Sequence, residues 1–390
     1  MEWRLRAQRH RNELILFGAA LVAYLLSSGS MLLHQSLAPH FVYQADAFIH
    51  GQLALAVKPP NLNDWVFENG RWYVSFPPFP AVLMVPLVAL FGLALNDVAF
   101  TIVFAALNVA LFYRLERTVD PECPAWDHAL YALTFGFGTL AWSCGIRGEV
   151  WFTAETIGVT LTLLFLLAAH EAKHPVAAGL AVACAAITRT PLAFSAVFFV
   201  LEVWRREDRA RRLWQFAAAI VVVGLPMAAM NYARFGSFTE FGHSHLYANR
   251  VNEQIQQFGL FHYAFLERNL HSAFTRLPQI SFRPLRIGFD GEGMSLFVTT
   301  PLFFYLLWPR DKPRLHRPLW IAAAVVAVPG FFYQNSGWFQ FGFRFSLDYT
   351  PYLILLLALG HRARTRLWWA AALAGVAVNA WGAAVFNRFY

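Results

Sequence analysis

Long apolar runs recur from one end of this chain to the other, and no other feature limits its fold as much. They cover residues 14–33, 80–95, 100–111, 128–143, 151–169, 176–203, 213–230, 294–308, 318–333, 345–360 and 367–386. A run of roughly 18 or more such residues reads as a membrane span. Lipid offers no partner to a backbone N–H or C=O, so a spanning segment is either a helix or a strand of a closed barrel. Barrel strands are about ten residues long and alternate in polarity, and these runs do neither. Residue types agree, with 58% hydrophobic and only 14% charged side chains, against about 25% charged in soluble domains. The expectation is an all-α polytopic membrane protein, one transmembrane domain over 1–390, with about eleven passes at this span length.

Charge then sets sidedness. The chain carries a net +8, and in a membrane protein an excess of Lys and Arg marks cytoplasmic loops. Segment 204–213 holds five Arg, 308–317 three Arg and a Lys, and 361–366 three Arg. With the basic start of the chain these segments are expected inside the cell. A first periplasmic loop at 34–96, with juxtamembrane helices, and a second at 232–293 then fall outside, together with 334–348. The run V-N-E-Q-I-Q-Q-F-G-L-F-H-Y-A-F-L-E-R-N-L in the second loop reads as one or two amphipathic helices lying on the membrane.

Two arrangements of the middle of the chain fit. In one, 80–95 lies along the outer face and 176–203 makes two short passes meeting at Thr188-Arg189-Thr190-Pro191. In the other, 80–95 crosses, and 176–203 is a single crossing with Arg189 at mid-membrane. Arg114, Arg117 and Lys173 favour the first and Arg147 alone the second. Proline disfavours helix at the residue before it and removes a donor, and a mid-bilayer arginine is costly, so the first is preferred.

Some function classes drop out. No Lys/Arg cluster is interleaved with aromatics on a soluble face, so nucleic acid is not an expected partner; membrane lipids are. Cys123, Cys144 and Cys184 stand singly, without the spacing of a metal site or a disulfide framework. His243 and His245 form an H-x-H pair that could hold a metal, but without a third ligand at a telling spacing, so no motif indicates a divalent metal or other cofactor and metal dependence stays open. No phosphate-binding loop, dinucleotide fingerprint or nucleophile elbow is present.

What remains is a concentration of charge on the outer face. It includes Asp46, His50, Lys58, Arg71, Arg147, Glu149, Glu155, Arg189, Arg344 and Asp348, several at the ends of apolar runs. Each alone reads equally as an interfacial anchor; several arginines among aromatics, sharing a face with a carboxylate, also suit an anion site. Asp46 and His50 stand four residues apart, on one helical face. There Asp46 is either a helix-starting cap or a base with an imidazole beside it. The segment G-W-F-Q-F-G-F-R-F, with Trp338 and Arg344, reads as an aromatic belt or as the wall of a lipid or sugar site.

The segments Y-Q-A-D-A-F-I-H-G-Q-L, P-P-F-P-A-V-L-M-V-P, R-G-E-V-W-F-T-A-E and A-I-T-R-T-P-L-A together resemble the GT-C superfamily of integral-membrane glycosyltransferases. The similarity is to the protein O-mannosyltransferase and lipid A aminoarabinose transferase type. It implies a bacterial plasma-membrane enzyme with a cytoplasmic N-terminus. On its extracytoplasmic face a sugar would pass from a polyprenyl-phosphate donor to a hydroxyl of a glycan, lipid or protein acceptor, with inversion. By the same resemblance Asp46 is the catalytic base. The resemblance also gives Arg189 and Arg147 the donor phosphate; the outer-face charges add Arg344 and His50 as phosphate contacts and Lys58, Arg71, Glu149, Glu155, Trp338 and Asp348 as expected substrate contacts. Many relatives have two adjacent acids where this chain has Asp46-Ala47. The rival reading is a transporter or flippase of a lipid-linked or amphipathic anion, which uses the same cavity without breaking a bond.

Overall fold

Local chemistry sets where the helices begin. The structure, a computed structural model, describes residues 10–246 and 249–386. Proline occupies the first turn of the helices starting at Phe79, Pro175 and Thr350, where its missing N–H costs nothing. Asn96 and Thr365 cap two others, each side chain accepting from a backbone N–H three residues on, as short polar caps do.

In chain order the helices are α1 (Arg11–Ser28), α2 (His40–Ile49), α3 (Phe79–Phe91), α4 (Asp97–Val119), α5 (Ala125–Phe137), α6 (Ala141–Gly145), α7 (Val150–Ala169) and α8 (Pro175–Ala186). There follow α9 (Ala196–Val203), α10 (Arg209–Phe235), α11 (Asn249–Phe258), α12 (Leu266–Phe274), α13 (Leu296–Thr299), α14 (His316–Phe332), α15 (Thr350–Leu359) and α16 (Arg366–Val385). Short 3₁₀ segments at Thr190–Ser195 and Arg344–Asp348 matter below. Five of the described helical stretches are long and apolar enough to cross a membrane: Arg11–Leu33, Asp97–Val119, Val150–Ala172, Arg209–Phe235 and Arg366–Val385. The chain is a multi-pass membrane protein. The central Val150–Ala172 stretch is mostly covered by protein, whereas α10 leaves most of its surface free, as a helix at the lipid-facing rim does.

Cross-chain bonds assign helix ends to two faces. Glu202 at the end of α9 accepts from Arg314 and from the Glu171 backbone, and Arg206 donates to the Glu171 carbonyl. At the other face Phe79 N donates to Ile187 O, and Gln35 donates to the carbonyls of both Leu93 and Leu95. Both ends of α3 therefore sit on that second face, and α3 lies along it. The same bonds show α8 rising to this face and the 190–203 segment returning from it, so the chain turns at Thr188–Pro191.

The all-helical expectation needs one amendment. Strands β1 (Trp65–Glu68) and β2 (Arg71–Val74) form an antiparallel hairpin, and so do β3 (Gln279–Phe282) and β4 (Leu285–Gly288). The first is tied to the second long loop by a bridge between Val66 and Leu246 and by Arg234, which donates to the Val74 carbonyl. In the second loop the amphipathic run forms α11 and α12, with residues 259–265 between them.

Candidate active site

The turn at Thr188–Pro191 is built to aim an arginine sideways. Thr188 Oγ1 donates to Cys184 O at 2.8 Å and closes the end of α8. Pro191 prevents the helix from continuing through Thr190, and Arg189 is left extended, with φ −144° and ψ 115°. Its guanidinium reaches Asp348 through two parallel bonds, Nε to Oδ1 at 2.6 Å and Nη2 to Oδ2 at 2.8 Å. This is the bidentate fork that fixes an arginine in both position and plane.

A second arginine arrives from the other half of the chain. Arg344 opens the 3₁₀ turn that ends in Asp348. Its Nη1 donates to Glu155 Oε1 at 2.6 Å, its Nε to Gly337 O at 3.0 Å, and its backbone N–H to Gln340 Oε1. Arg189 Nη1 stands 3.6 Å from the same Glu155 oxygen. Both guanidiniums lie near the Phe345 ring, 5.2 and 5.1 Å from its centre, a distance at which cation and ring attract. Two guanidiniums thus meet two carboxylates, Glu155 and Asp348, and the four charges of this cluster cancel.

Arg189, Arg344 and Asp348 line a cavity of about 370 Å³ on the face that carries α3. Its walls are aromatic and apolar, among them Phe76, Trp151, Phe194, Phe261, Tyr333 and Phe345, with His243 and Asp64 as further polar groups. Asp64 sits at the entry to β1 with φ 59°, a left-handed conformation that Asp and Asn tolerate better than most residues. Its Oδ2 accepts from Trp151 Nε1 at 3.0 Å. Burial raises the Asp64 carboxyl above the usual carboxylate range, while the Trp151 bond and the Arg344 charge pull it down. Burial pushes the His243 imidazole down to about 4, with Glu240 opposing and Arg189 adding, so it is neutral at physiological pH.

The residues singled out in the sequence divide into two groups. Arg189, Arg344 and Asp348 line the cavity, and Glu155 supports it through both arginines. Asp46, His50, Lys58, Arg71, Arg147, Glu149 and Trp338 do not line it. The buried face of α2 carries Phe41, Val42 and Ala45, and Asp46, one position on, lies at its edge. There it stands 3.8 Å from His50, whose Nδ1 is 2.8 Å from the Asp46 backbone oxygen. His50 is exposed at the helix end, while the Asp46 side chain is largely covered, 15% exposed. Arg147 is buried elsewhere, bonded to Phe386 O at 3.1 Å, with Glu149 3.6 Å away and the Phe152 and Phe386 rings beside it. Lys58 and Arg71 are exposed, and Trp338 is half-exposed.

Asp64 and Trp151 were not among the expected site residues. The only hint in the sequence is an acid in N-D-W just ahead of a short alternating hairpin. Nothing local reveals that an indole 87 residues away will hold it.

The family model for glycosyltransferase family 87 matches residues 73–329, which include Trp151, Glu155, Arg189 and His243. Among solved structures, ArnT from Cupriavidus metallidurans bound to undecaprenyl phosphate is similar over 94% of this chain and 63% of its own, with a TM-score of 0.56 and 16% identity. The oligosaccharyltransferase of Archaeoglobus fulgidus in its apo form is similar over 94% of this chain and 56% of its own, with a TM-score of 0.51 and 13% identity. AglB of the same organism, in complex with an inhibitory peptide and a dolichol-phosphate, covers 94% and 55%, with a TM-score of 0.50 and 12% identity. At such identities the likeness is one of fold, and the chain spans less than two thirds of each of these proteins. No curated protein matches the sequence.

Proposed function

Because the chain belongs to glycosyltransferase family 87, we propose that it moves a sugar from a polyprenyl-phosphate donor to an acceptor hydroxyl, with inversion, in the cavity that Arg189, Arg344 and Asp64 share. The observation that carries this reading is the meeting of those three side chains, from three separate segments, in one aromatic-walled cavity at a membrane face. A fold shared with proteins captured with undecaprenyl phosphate and dolichol-phosphate supports the donor class.

The chemistry follows from the geometry. The donor's phosphate takes guanidinium N–H groups of Arg189 and Arg344, whose planes Asp348 and Glu155 already hold. As the sugar C1–O bond breaks, its electron pair moves to the phosphate oxygen. The fixed guanidiniums stabilise the growing charge without reorganising, and such preorganised stabilisation usually lowers the barrier more than any other effect. Asp64 takes the proton of the acceptor hydroxyl as its oxygen bonds to C1 from the opposite side, and the configuration inverts. A carboxyl raised by burial is a better base at neutral pH than a solvated one. Asp64 thus takes the part that the sequence assigned to Asp46.

Sidedness comes from the basic loops. Residues 204–213, 308–317 and 361–366 lie at the face opposite the cavity, and retention of Arg and Lys inside puts the cavity and the 34–96 and 232–293 segments outside the cell. The test uses purified protein in detergent, a polyprenyl-phosphate sugar labelled in the sugar, and envelope extract as the acceptor source. Wild-type protein should release polyprenyl phosphate and label the acceptor, and Arg189→Lys, which loses the fork to Asp348, should do so about 10²-fold more slowly. An intact donor, merely moved across the membrane in proteoliposomes, overturns the reading in favour of a flippase.

A further inference from the structure

At the face opposite the cavity three loops converge: 120–124 between α4 and α5, 308–315 ahead of α14, and 360–365 between α15 and α16. Their backbones are joined, since Gly360 O accepts from the N–H groups of Arg310 and Asp311. His361 sits at the junction with both ring nitrogens engaged. Its Nε2 is 2.8 Å from Asp120 Oδ2 and its Nδ1 3.1 Å from Asp311 Oδ2. Cys123 completes the group: its sulfur, a carboxylate oxygen of Asp120 and a ring nitrogen of His361 lie within 4.8 Å of one another.

We propose that Asp120, Cys123 and His361 form a binding site for a zinc-like divalent cation, with Asp311 holding the imidazole from behind. One sulfur, one nitrogen and one oxygen are the donor set of a borderline-soft metal. Bonds of 2.0–2.3 Å at tetrahedral angles separate ligand atoms by roughly 3.3–3.6 Å, so a metal would draw the Cys123 sulfur in and open the 2.8 Å Asp120–His361 pair slightly. A ligating histidine almost always gives its second ring nitrogen to a carboxylate, a backbone carbonyl or water, and Asp311 occupies that place. Pro121 and Pro124 flank the cysteine and restrict its loop. The Cys123 thiol donates to Asp127 Oδ2 at 3.5 Å, so the sulfur sits between two carboxylates, Asp120 and Asp127, the second of which also pairs with Arg364. A cavity of about 380 Å³ bordered by Cys123, Asp127 and His361 leaves room for a fourth, solvent ligand. A plain ion-pair clamp of His361 between two carboxylates has no use for the thiol. The cation would join loops whose ligands are 241 residues apart in sequence.

The experiment uses tag-free protein stripped with a chelator and titrated with Co²⁺, with Zn²⁺ as competitor. Expected is one Co²⁺ per chain with a thiolate-to-cobalt charge-transfer band that Zn²⁺ abolishes. Cys123→Ser should lose the band, His361→Ala should weaken binding at least tenfold, and Asp311→Asn should weaken it about 10–100-fold. Cys123→Ser should keep the thermal transition of the metal-free protein and full sugar transfer, which separates this site from the catalytic reading. Absence of a thiolate band in the wild type, its persistence in Cys123→Ser, or equal affinity in wild type and Cys123→Ser overturns the proposal.

Discussion

Replacing Asp64 by asparagine separates the two carboxylates that compete for the part of base. Asparagine tolerates the left-handed backbone at this position, φ 59°, as well as aspartate does. Its amide oxygen can still accept the 3.0 Å bond from Trp151 Nε1, so the folded protein should change by less than about 1 kcal/mol. What is lost is a proton acceptor next to the acceptor hydroxyl. A positioned base contributes typically about 10²–10⁴-fold, which at 1.36 kcal/mol per decade is about 3–5 kcal/mol of barrier. Turnover of Asp64→Asn should therefore fall at least a hundredfold, measured as polyprenyl phosphate released per minute, with the thermal transition in detergent unmoved. Asp46→Asn is the matched control: Asp46 does not line the cavity, and turnover should stay within twofold of wild type. If Asp46→Asn loses activity while Asp64→Asn keeps more than a tenth of it, the assignment by cavity geometry is wrong.

Other expectations rest on equally specific contacts. Glu155→Gln strips both buried arginines of a shared counter-charge and should lower stability by about 3–5 kcal/mol, read as a fall in the thermal midpoint. Gly148→Ala puts a methyl group 2.6 Å from both Asp97 Oδ1 and Val98 N; it should cost about 1–3 kcal/mol in the same assay. His40 is fully buried and pushed down to about 4 by burial, against carbonyl contacts that raise it. Above pH 6.5 it is neutral folded or unfolded and gives no pH dependence. Between pH 6.5 and 4 only the unfolded chain takes the proton, so stability falls with acidification by up to about 3 kcal/mol. His40→Phe, which keeps a ring against Trp65, should flatten that slope.

How far the sequence could be read depends on how local each signal is. The helices, the turn at Thr188–Pro191 and the arginine in it are local consequences of apolar run length and of proline, and all three are legible. Arg344 and Asp348 stood out because charge among aromatics at the end of an apolar run is expensive. Asp46 stood out through the resemblance of its segment and, more weakly, its spacing from His50, but neither says which way a helix faces. Packing of Phe41, Val42 and Ala45 sets the buried face of α2, and Asp46, at its border, does not line the cavity of Arg189 and Arg344. Arg147 looked like one more outer-face charge; its partners, the Phe386 carbonyl and ring, are 239 residues away. Asp64 was hidden because its place in the cavity exists only once β1, β2 and the start of α7 have met.

The pairing of the site's four charges bears on how the protein is made. Glu155 and Arg189 leave the ribosome together in the first half of the chain and are already within 3.6 Å of each other in the finished protein. Arg344 and Asp348 emerge much later, on a single 3₁₀ turn. Each instalment delivered to the translocon therefore carries one charge of each sign and is neutral in sum. A change that removes one member burdens the nascent chain before the mature cavity exists, so its first symptom is a shortfall of inserted protein.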